Sequence, residues 1–211
     1  MGQSWRSTGD IGPVFDHVPY EFDANGIRLW TPLGVMDIID QNAPLREFAG
    51  PGHWNDADML EVGNGMSFIE DRAHFSMWCM MASPLMLGND LRSMSEQTKS
   101  IILNKDVIAI DQDKLGVQGL RLRKEGSVEY WLKPLSGGDW AFCLLNGGPE
   151  TVSFELDWSS IAYEDKLSGM TLDMSKGLKA RDLWNGTTVS ATGTMPVSLE
   201  SHDVLLYRLG R

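Results

Sequence analysis

The sequence holds few cysteines and few cations, and both shortages exclude classes of protein. Only two of its 211 residues are cysteine, Cys79 and Cys143, and each lies inside an apolar run. Two such cysteines are predicted to be buried free thiols rather than a disulfide or a metal site. Lys and Arg total 18 against 29 Asp and Glu, giving a formal net charge of -11. This balance disfavours nucleic acid and anionic membrane surfaces as partners.

Long apolar runs and several common motifs are also missing. No apolar stretch approaches the roughly 18 residues that a membrane-spanning helix needs. No P-loop, G-x-G-x-x-G or G-x-S-x-G motif occurs, so the sequence gives no support to nucleotide binding or to a serine hydrolase. The first residues lack a basic region followed by an apolar core, and they therefore do not predict a signal peptide.

The first part of the chain, residues 1–116, is predicted to be α/β. Apolar side chains recur at helical spacing through residues 29–39, and residues 70–82 indicate a buried helix that Ser83 and Pro84 end. The apolar run at residues 84–88 is typical of a buried parallel strand. Residues 93–96 match a capping box that opens another helix. Helices that alternate with short strands indicate βαβ units.

The second part, residues 117–211, is predicted to be an antiparallel β domain, in the form of a small sandwich. Apolar side chains alternate there with period two, for example at Trp140, Phe142 and Leu144. Clusters of Gly, Asn, Asp and Pro at residues 136–139, 146–149 and 185–186 separate the alternating runs and predict turns. Asn185 also begins a glycosylation sequon, for which a hairpin turn is the simpler interpretation.

Two segments are dense in carboxylates, Gly and aromatic residues: residues 5–11 and residues 50–60. Loops that follow barrel strands carry catalytic groups. Asp56 and Asp58 are two residues apart, so in an extended segment both would face the same side. Carboxylates with a neighbouring Arg could bind sugar hydroxyls.

Simpler interpretations compete with each of these. An Asp after Gly, such as Asp10, is usually a turn residue, and Asn55–Asp56 and Asn89–Asp90 could cap helices. A metal site is weakly indicated, because the spacing of its possible ligands matches neither an EF-hand loop nor an HExxH helix. Those possible ligands are His53, Asp56, Asp58 and Glu61.

Taken in order, the segments resemble family 27 glycoside hydrolases, the α-galactosidase or melibiase family. The matching segments are WRSTGDI at 5–11, AGPGHWNDADML at 49–60, MASPLMLGNDLR at 81–92, LNKDVIAIDQD at 103–113, RDLW at 181–184 and HDVLLY at 202–207. The resemblance implies the C-terminal part of a (β/α)8 barrel followed by an antiparallel β-sandwich. It also implies hydrolysis of terminal α-galactosides with retention, by two aspartates.

The resemblance assigns roles to particular residues. It implies that Asp10 is the acid/base. We also expect Arg6 to point to the sugar rather than to Asp10. The other implied roles are binding of the galactose by Arg6, Asp58 and Met59, and support of the loop by Trp54 and Asp56. No metal and no cofactor is implied.

The family's nucleophile is an Asp in a Lys-x-Asp motif on an earlier barrel strand, and no such segment occurs in these 211 residues. We therefore expect the chain to be inactive alone, as part of a parent enzyme acting on a galactoside oligosaccharide or glycoconjugate. A secreted or periplasmic parent is expected, and no oligomeric state is predicted. A carbohydrate-binding or scaffold module remains an alternative, as does an α-N-acetylgalactosaminidase or β-L-arabinopyranosidase of the same family.

Overall fold

The computed structural model describes residues 2–27 and 29–211 and begins with a parallel pair of short strands. Strand β1 (Ser4–Arg6) pairs with β2 (Trp54–Asp56), with Arg6 opposite Asp56. Parallel bridges between Ile11 and Leu33 and between Leu60 and Leu87 extend the same arrangement beyond the strands. The strand ends therefore meet at one edge, as the predicted βαβ units require.

Helix α1 (Val35–Asn42) begins six residues later than the predicted helical spacing. Leu29 is exposed in a loop, and the N–H of Leu33 donates to the carbonyl of Asp10, which removes Leu33 from any helix. The prediction of a helix from Leu29 was therefore wrong. Gly34 is the N-cap, and its N–H donates to the Asp37 carboxylate at 3.0 Å, so the helix starts where this cap becomes possible.

Helix α2 (Phe68–Met81) confirms the predicted buried helix. Ser67 and Glu70 form a reciprocal capping box at its start. Ten of its residues are buried, on all sides of the helix, because it lies between the parallel strands and the β domain. It ends at Ala82, whose left-handed backbone (φ 53°) precedes Ser83 and Pro84.

The predicted buried strand at residues 84–88 is absent. Leu87 makes one parallel bridge, to Leu60, and both Met86 and Leu87 are exposed. Two short helices follow, α3 (Glu96–Ile102) and α4 (Lys105–Asp111). The cap of α3 is Ser95, whose Oγ accepts from the N–H of Thr98, so the box predicted at residues 93–96 begins two residues too early.

The second part of the chain is antiparallel throughout its sheets, as predicted. Its strands are β3 (Leu120–Glu125), β4 (Val128–Pro134), β5 (Trp140–Asn146), β6 (Val152–Asp157), β7 (Tyr163–Asp165), β8 (Met170–Leu172), β9 (Lys179–Asp182), β10 (Thr188–Ser190), β11 (Thr194–Leu199) and β12 (Val204–Gly210). Six of them form one sheet in the order β10-β9-β12-β5-β4-β3, and β6 pairs with β11, β7 with β8.

The six-stranded sheet is covered on both faces. In β5, Phe142 and Leu144 belong to the core between the sheets, whereas Cys143 and Leu145 pack with α2 in a second core. The first part of the chain is therefore fixed against the β domain through a shared apolar interior. Cys79 and Cys143 are both buried and free, as predicted.

An ion pair also joins the two parts. The Arg46 guanidinium donates to both carboxylate oxygens of Asp165, at 2.8 and 2.9 Å, and both groups are largely buried. Burial would raise the pKa of Asp165, but the hydrogen bonds from Arg46 and Ser168 prevail and lower it. In the part of the chain that the structure describes, none of the helices has the length and apolarity to cross a membrane.

Candidate active site

The carboxylates singled out in the sequence meet at one end of the parallel pair. Arg6 ends β1 and Asp56 ends β2, while Asp10 and Asp58 follow these ends by four and two residues. One nitrogen of Arg6, Nη2, lies 3.2 Å from Asp10 Oδ1 and 2.8 Å from Asp58 Oδ2. The sheet therefore brings three of the predicted site residues into direct contact, although they are up to 52 residues apart in sequence.

Asp58 is held by its neighbours on every side. Oδ2 accepts from Arg6 and from the N–H of Ile11 at 2.9 Å, and Oδ1 accepts from the N–H of Met59 at 2.8 Å. Its own N–H donates to Asp56 Oδ1 at 3.0 Å, so Asp56 supports the turn that carries Asp58. Asp58 has φ 78°, a left-handed conformation that costs energy for a non-glycine residue.

This conformation changes one expectation. The prediction that Asp56 and Asp58 face the same side assumed an extended segment, and the chain leaves the extended conformation at Asp58. The suggested capping roles of Asn55–Asp56 and Asn89–Asp90 were also wrong. Asn55 is buried inside β2 and bonds Trp5 and Gln118, while Asp90 pairs with Arg92.

Trp78 is a site residue that the sequence analysis did not identify. Its side chain is fully buried in α2, and Nε1 donates to the carbonyl of Asp58 at 2.8 Å. The ring of His74 stands edge-on against it, with centroids 4.0 Å apart. A buried indole N–H must find an acceptor, and that requirement was the available signal, but the sequence could not name the acceptor.

Asp10 is set in a different environment from Asp58. Its side chain is 63% exposed, whereas that of Asp58 is 14% exposed. The Asp10 backbone is fixed, because its carbonyl accepts from Leu33 at 2.8 Å. Arg6 Nη2 also donates to the Gly9 carbonyl beside it at 3.0 Å. The expectation that Arg6 points away from Asp10 is therefore wrong in this structure.

Met59 and Trp54 lie in different places relative to these carboxylates. Met59 is partly exposed beside Asp58, and a side chain at Gly88 would come within 2.7 Å of its sulfur, so Gly88 makes room for it. Trp54 starts β2, at the end away from Asp58, and lines a separate cavity of about 410 Å³. Trp54 can therefore support the site only indirectly, by holding β2 in place.

The arrangement suits proton transfer beside a bound polar ligand. The two contacts of Arg6 Nη2 keep the nearest oxygens of Asp10 and Asp58 within about 6 Å of each other. Asp58 has three of its hydrogen-bonding positions occupied, while Asp10 keeps most of its surface free for a reactant. Within residues 2–27 and 29–211, no cluster of three or more His, Cys, Asp or Glu could hold a metal ion.

Comparison with known proteins shows the family of this chain. The family model described as alpha galactosidase A matches residues 29–113, and that of the alpha galactosidase C-terminal beta sandwich domain matches residues 125–209. Alpha-galactosidase A of Cellvibrio japonicus is 44% identical over 210 residues, which are 99% of this chain and 50% of that protein. The chain thus spans about half the length of this curated relative.

Two solved structures are similar over nearly the whole chain. Alpha-galactosidase I of Mortierella vinacea has a TM-score of 0.83 at 31% identity, covering 98% of this chain and 53% of that one. An α-galactosidase of Saccharomyces cerevisiae with raffinose has a TM-score of 0.84 at 24% identity, covering 99% and 59%. The second likeness concerns the fold alone.

These matches define the class as glycoside hydrolases with a catalytic domain followed by a β-sandwich. The chain belongs to the α-galactosidase (melibiase) family, family 27. The predicted family is therefore confirmed, and so is the predicted fold class of an α/β catalytic part followed by an antiparallel β-sandwich.

Proposed function

We propose that the complete protein is a retaining α-galactosidase in which Asp10 is the acid/base. The observation that carries this proposal is the contact of one Arg6 nitrogen with both Asp10 and Asp58 at a shared strand end. In the first step, Asp10 donates its proton to the oxygen that leaves the anomeric carbon, while a second carboxylate bonds to that carbon. In the second step, Asp10 takes a proton from the water that displaces this carboxylate.

Asp58 and Arg6 are proposed to bind the terminal sugar, with Met59 beside them. The carboxylate of Asp58 is fixed by backbone N–H groups and by Arg6, so it can present its remaining lone pairs to sugar hydroxyls in a constant direction. Asp58 is less suited to proton exchange than Asp10, because it is largely shielded from solvent.

The nucleophile is proposed to lie in a segment outside these 211 residues. A retaining mechanism needs two carboxyl groups about 5–5.5 Å apart, and the Asp58 oxygen near Asp10 is already occupied by Arg6 and Ile11. We therefore expect the isolated chain to be inactive. A carbohydrate-binding module is the alternative, and it is disfavoured because the exposed carboxylate of Asp10 is accessible for proton transfer.

The substrate is proposed to be a terminal α-galactoside on an oligosaccharide or glycoconjugate. The name of the Cellvibrio japonicus relative supports the galactose specificity, and the yeast structure with raffinose supports an oligosaccharide. A secreted or periplasmic location stays a prediction.

Replacing Asp10 with Ala in the full-length protein tests the role of the acid/base. Turnover of substrates with poor leaving groups should be abolished, because these need protonation. Activated aryl galactosides should still form the glycosyl-enzyme, because their leaving groups depart unaided. Azide should then accelerate the second step, since it replaces the water that lacks a base. Steady-state rates on both substrate types, with and without azide, measure this.

Asp58→Ala is the matched control at the other carboxylate. It should weaken binding of both substrate types alike, which appears as a raised KM without azide rescue. If Asp10→Ala instead loses activity equally on both substrate types and azide does not help, Asp10 serves binding. The acid/base would then have to be sought at Asp56 or Asp58.

A further inference from the structure

A long loop starts just after Asp10, and its last residues return to contact the backbone of Asp10. The N–H of Leu33 donates to the carbonyl of Asp10 at 2.8 Å, and the N–H of Gly12 donates back to the carbonyl of Leu33 at 2.8 Å. Residues 12–32 lie between these contacts. Both ends of the loop are therefore pinned to the backbone that carries the proposed acid/base.

The middle of this loop is a hydrogen-bonded hairpin. The N–H of Leu29 donates to the carbonyl of Glu21, and that of Asp23 donates to the carbonyl of Ile27, both at 2.8 Å. The Asp23 carboxylate accepts from the N–H of Ile27 at 2.8 Å and of Asn25 at 2.9 Å, which closes the tip. These hydrogen bonds, that of Ile27 first, lower the pKa of Asp23, so the carboxylate that closes the tip stays ionised. These hydrogen bonds give the hairpin a fixed backbone conformation.

Two large aromatic side chains on the hairpin are exposed in this chain. Trp30 is 74% exposed and Phe22 59%. A group of exposed apolar side chains of this kind marks a binding surface more often than an isolated one does. Trp30 precedes Leu33 by three residues, so its Cα lies within about 11 Å of the Cα of Leu33. The chain connection therefore keeps the Trp30 backbone near the end of the loop that contacts Asp10.

We propose that Trp30 and Phe22, both exposed on this hairpin, form a subsite for the sugar units attached to the terminal galactose. This inference rests on the proposed function. A proton donor touches the leaving oxygen, so a loop that begins and ends at Asp10 stands next to the leaving group. The C–H faces of a pyranose carry partial positive charge and pack on the negative face of an aromatic ring. The occupant is therefore a neutral oligosaccharide rather than a single galactose.

A second copy of the chain is the competing occupant of this surface. The formal net charge of -11 opposes self-association. The loop begins and ends at Asp10, which favours the oligosaccharide substrate over a second copy of the chain as the occupant of this surface.

The test is Trp30→Ala in the full-length enzyme, with raffinose and α-galactosyl fluoride as substrates. The fluoride has a single atom as its leaving group and cannot reach the hairpin. We expect kcat/KM for raffinose to fall about three- to tenfold, mainly through KM, as is usual for loss of one aromatic stacking partner. The value for the fluoride should stay within about twofold of wild type. Trp30→Phe should retain most of the raffinose activity.

Ile27→Ala is the matched control, because this side chain is similarly exposed on the same hairpin but is not aromatic. Ile27→Ala should leave kcat/KM unchanged for both raffinose and the fluoride. Calorimetric titration with raffinose and with galactose gives a second readout that needs no turnover. Trp30→Ala should weaken raffinose binding and leave galactose binding unchanged.

Three results would overturn the subsite. These are unchanged raffinose kinetics and binding, an equal loss on raffinose and fluoride, or a change in molecular mass of Trp30→Ala by light scattering, which would make the hairpin an interface between copies. If wild-type protein hydrolyses neither substrate, the proposed function fails. The titration then still decides the subsite by the raffinose–galactose difference.

Discussion

His74 lies in the interior next to the residue that fixes Asp58, and its titration should make the fold sensitive to acid. The side chain has no exposed surface, and Nε2 accepts from the N–H of Glu61 at 2.9 Å. This hydrogen bond requires the neutral ring with its proton on Nδ1. Complete burial penalises the charged form and lowers the pKa of His74 from its ordinary 6.5 to about 3.

The sign and size of the effect follow from linkage. The folded-state pKa lies below the unfolded value, so the stability that His74 contributes is complete above pH 6.5. It is lost as the pH falls from 6.5 towards 3, because the unfolded chain binds the proton more tightly. Between pH 7 and pH 4.5 the loss for this residue amounts to about 2.5 kcal/mol.

His74→Gln isolates this contribution, because the Gln amide oxygen can accept from the N–H of Glu61 but does not titrate. Urea unfolding of the full-length protein at pH 7 and pH 4.5 should show a stability loss that is about 2.5 kcal/mol smaller in the variant than in wild type. Burial raises the pKa of both Asp71 and Asp111 to about 6, with the opposite pH dependence, but both are present in both proteins and cancel. The same pH dependence in both proteins, or an NMR titration of His74 near pH 6.5, would refute this reasoning.

One further prediction concerns the Arg46–Asp165 ion pair that joins the two parts of the chain, and another concerns the candidate active site. Arg46→Leu should lower the free energy of unfolding by about 3–5 kcal/mol, because it leaves the buried Asp165 carboxylate unpaired. Urea unfolding should show recovery when Asp165→Leu is added, and a loss below about 1 kcal/mol in the single variant would contradict the argument. Trp78→Phe removes the donor to the Asp58 carbonyl and should raise KM for galactosides about tenfold in steady-state kinetics. Trp184→Phe is its control, because that indole donates to a serine, and an equal rise in KM there would show a general loss of packing.

The sequence predicted which carboxylates lie together better than it predicted the local structure around them. Asp10, Arg6 and Asp58 lie in ordered motifs specific to one family, and the structure brings them together. The helix expected from Leu29 failed because hydrogen bonds to Asp10 and Gly12, residues distant in sequence, hold Leu33 out of it. The prediction of a strand at residues 84–88 was wrong because an apolar run does not reveal whether neighbouring strands pair with it.

Other features could not be predicted because they depend on contacts across the fold. The alternation in β5 indicates a sheet, but not that Cys143 and Leu145 pack against α2 on its second face. Trp78 could be predicted to be buried, whereas its acceptor, the Asp58 carbonyl 20 residues earlier, required the helix to be placed under the strand end.

The sequence by itself determined the family, the change from α/β to antiparallel β, the turns and the carboxylates that are candidates for the site. These depend on residue type, order and short-range periodicity, which the chain carries locally. Tertiary structure alone decided that Arg6 joins Asp10 to Asp58, that Asp58 adopts a left-handed backbone, and that one loop returns to Asp10 with Trp30 exposed. The physical reason is that each of these is a hydrogen bond or a contact between segments whose distance and orientation are set by the packing of the sheet and helices as a whole.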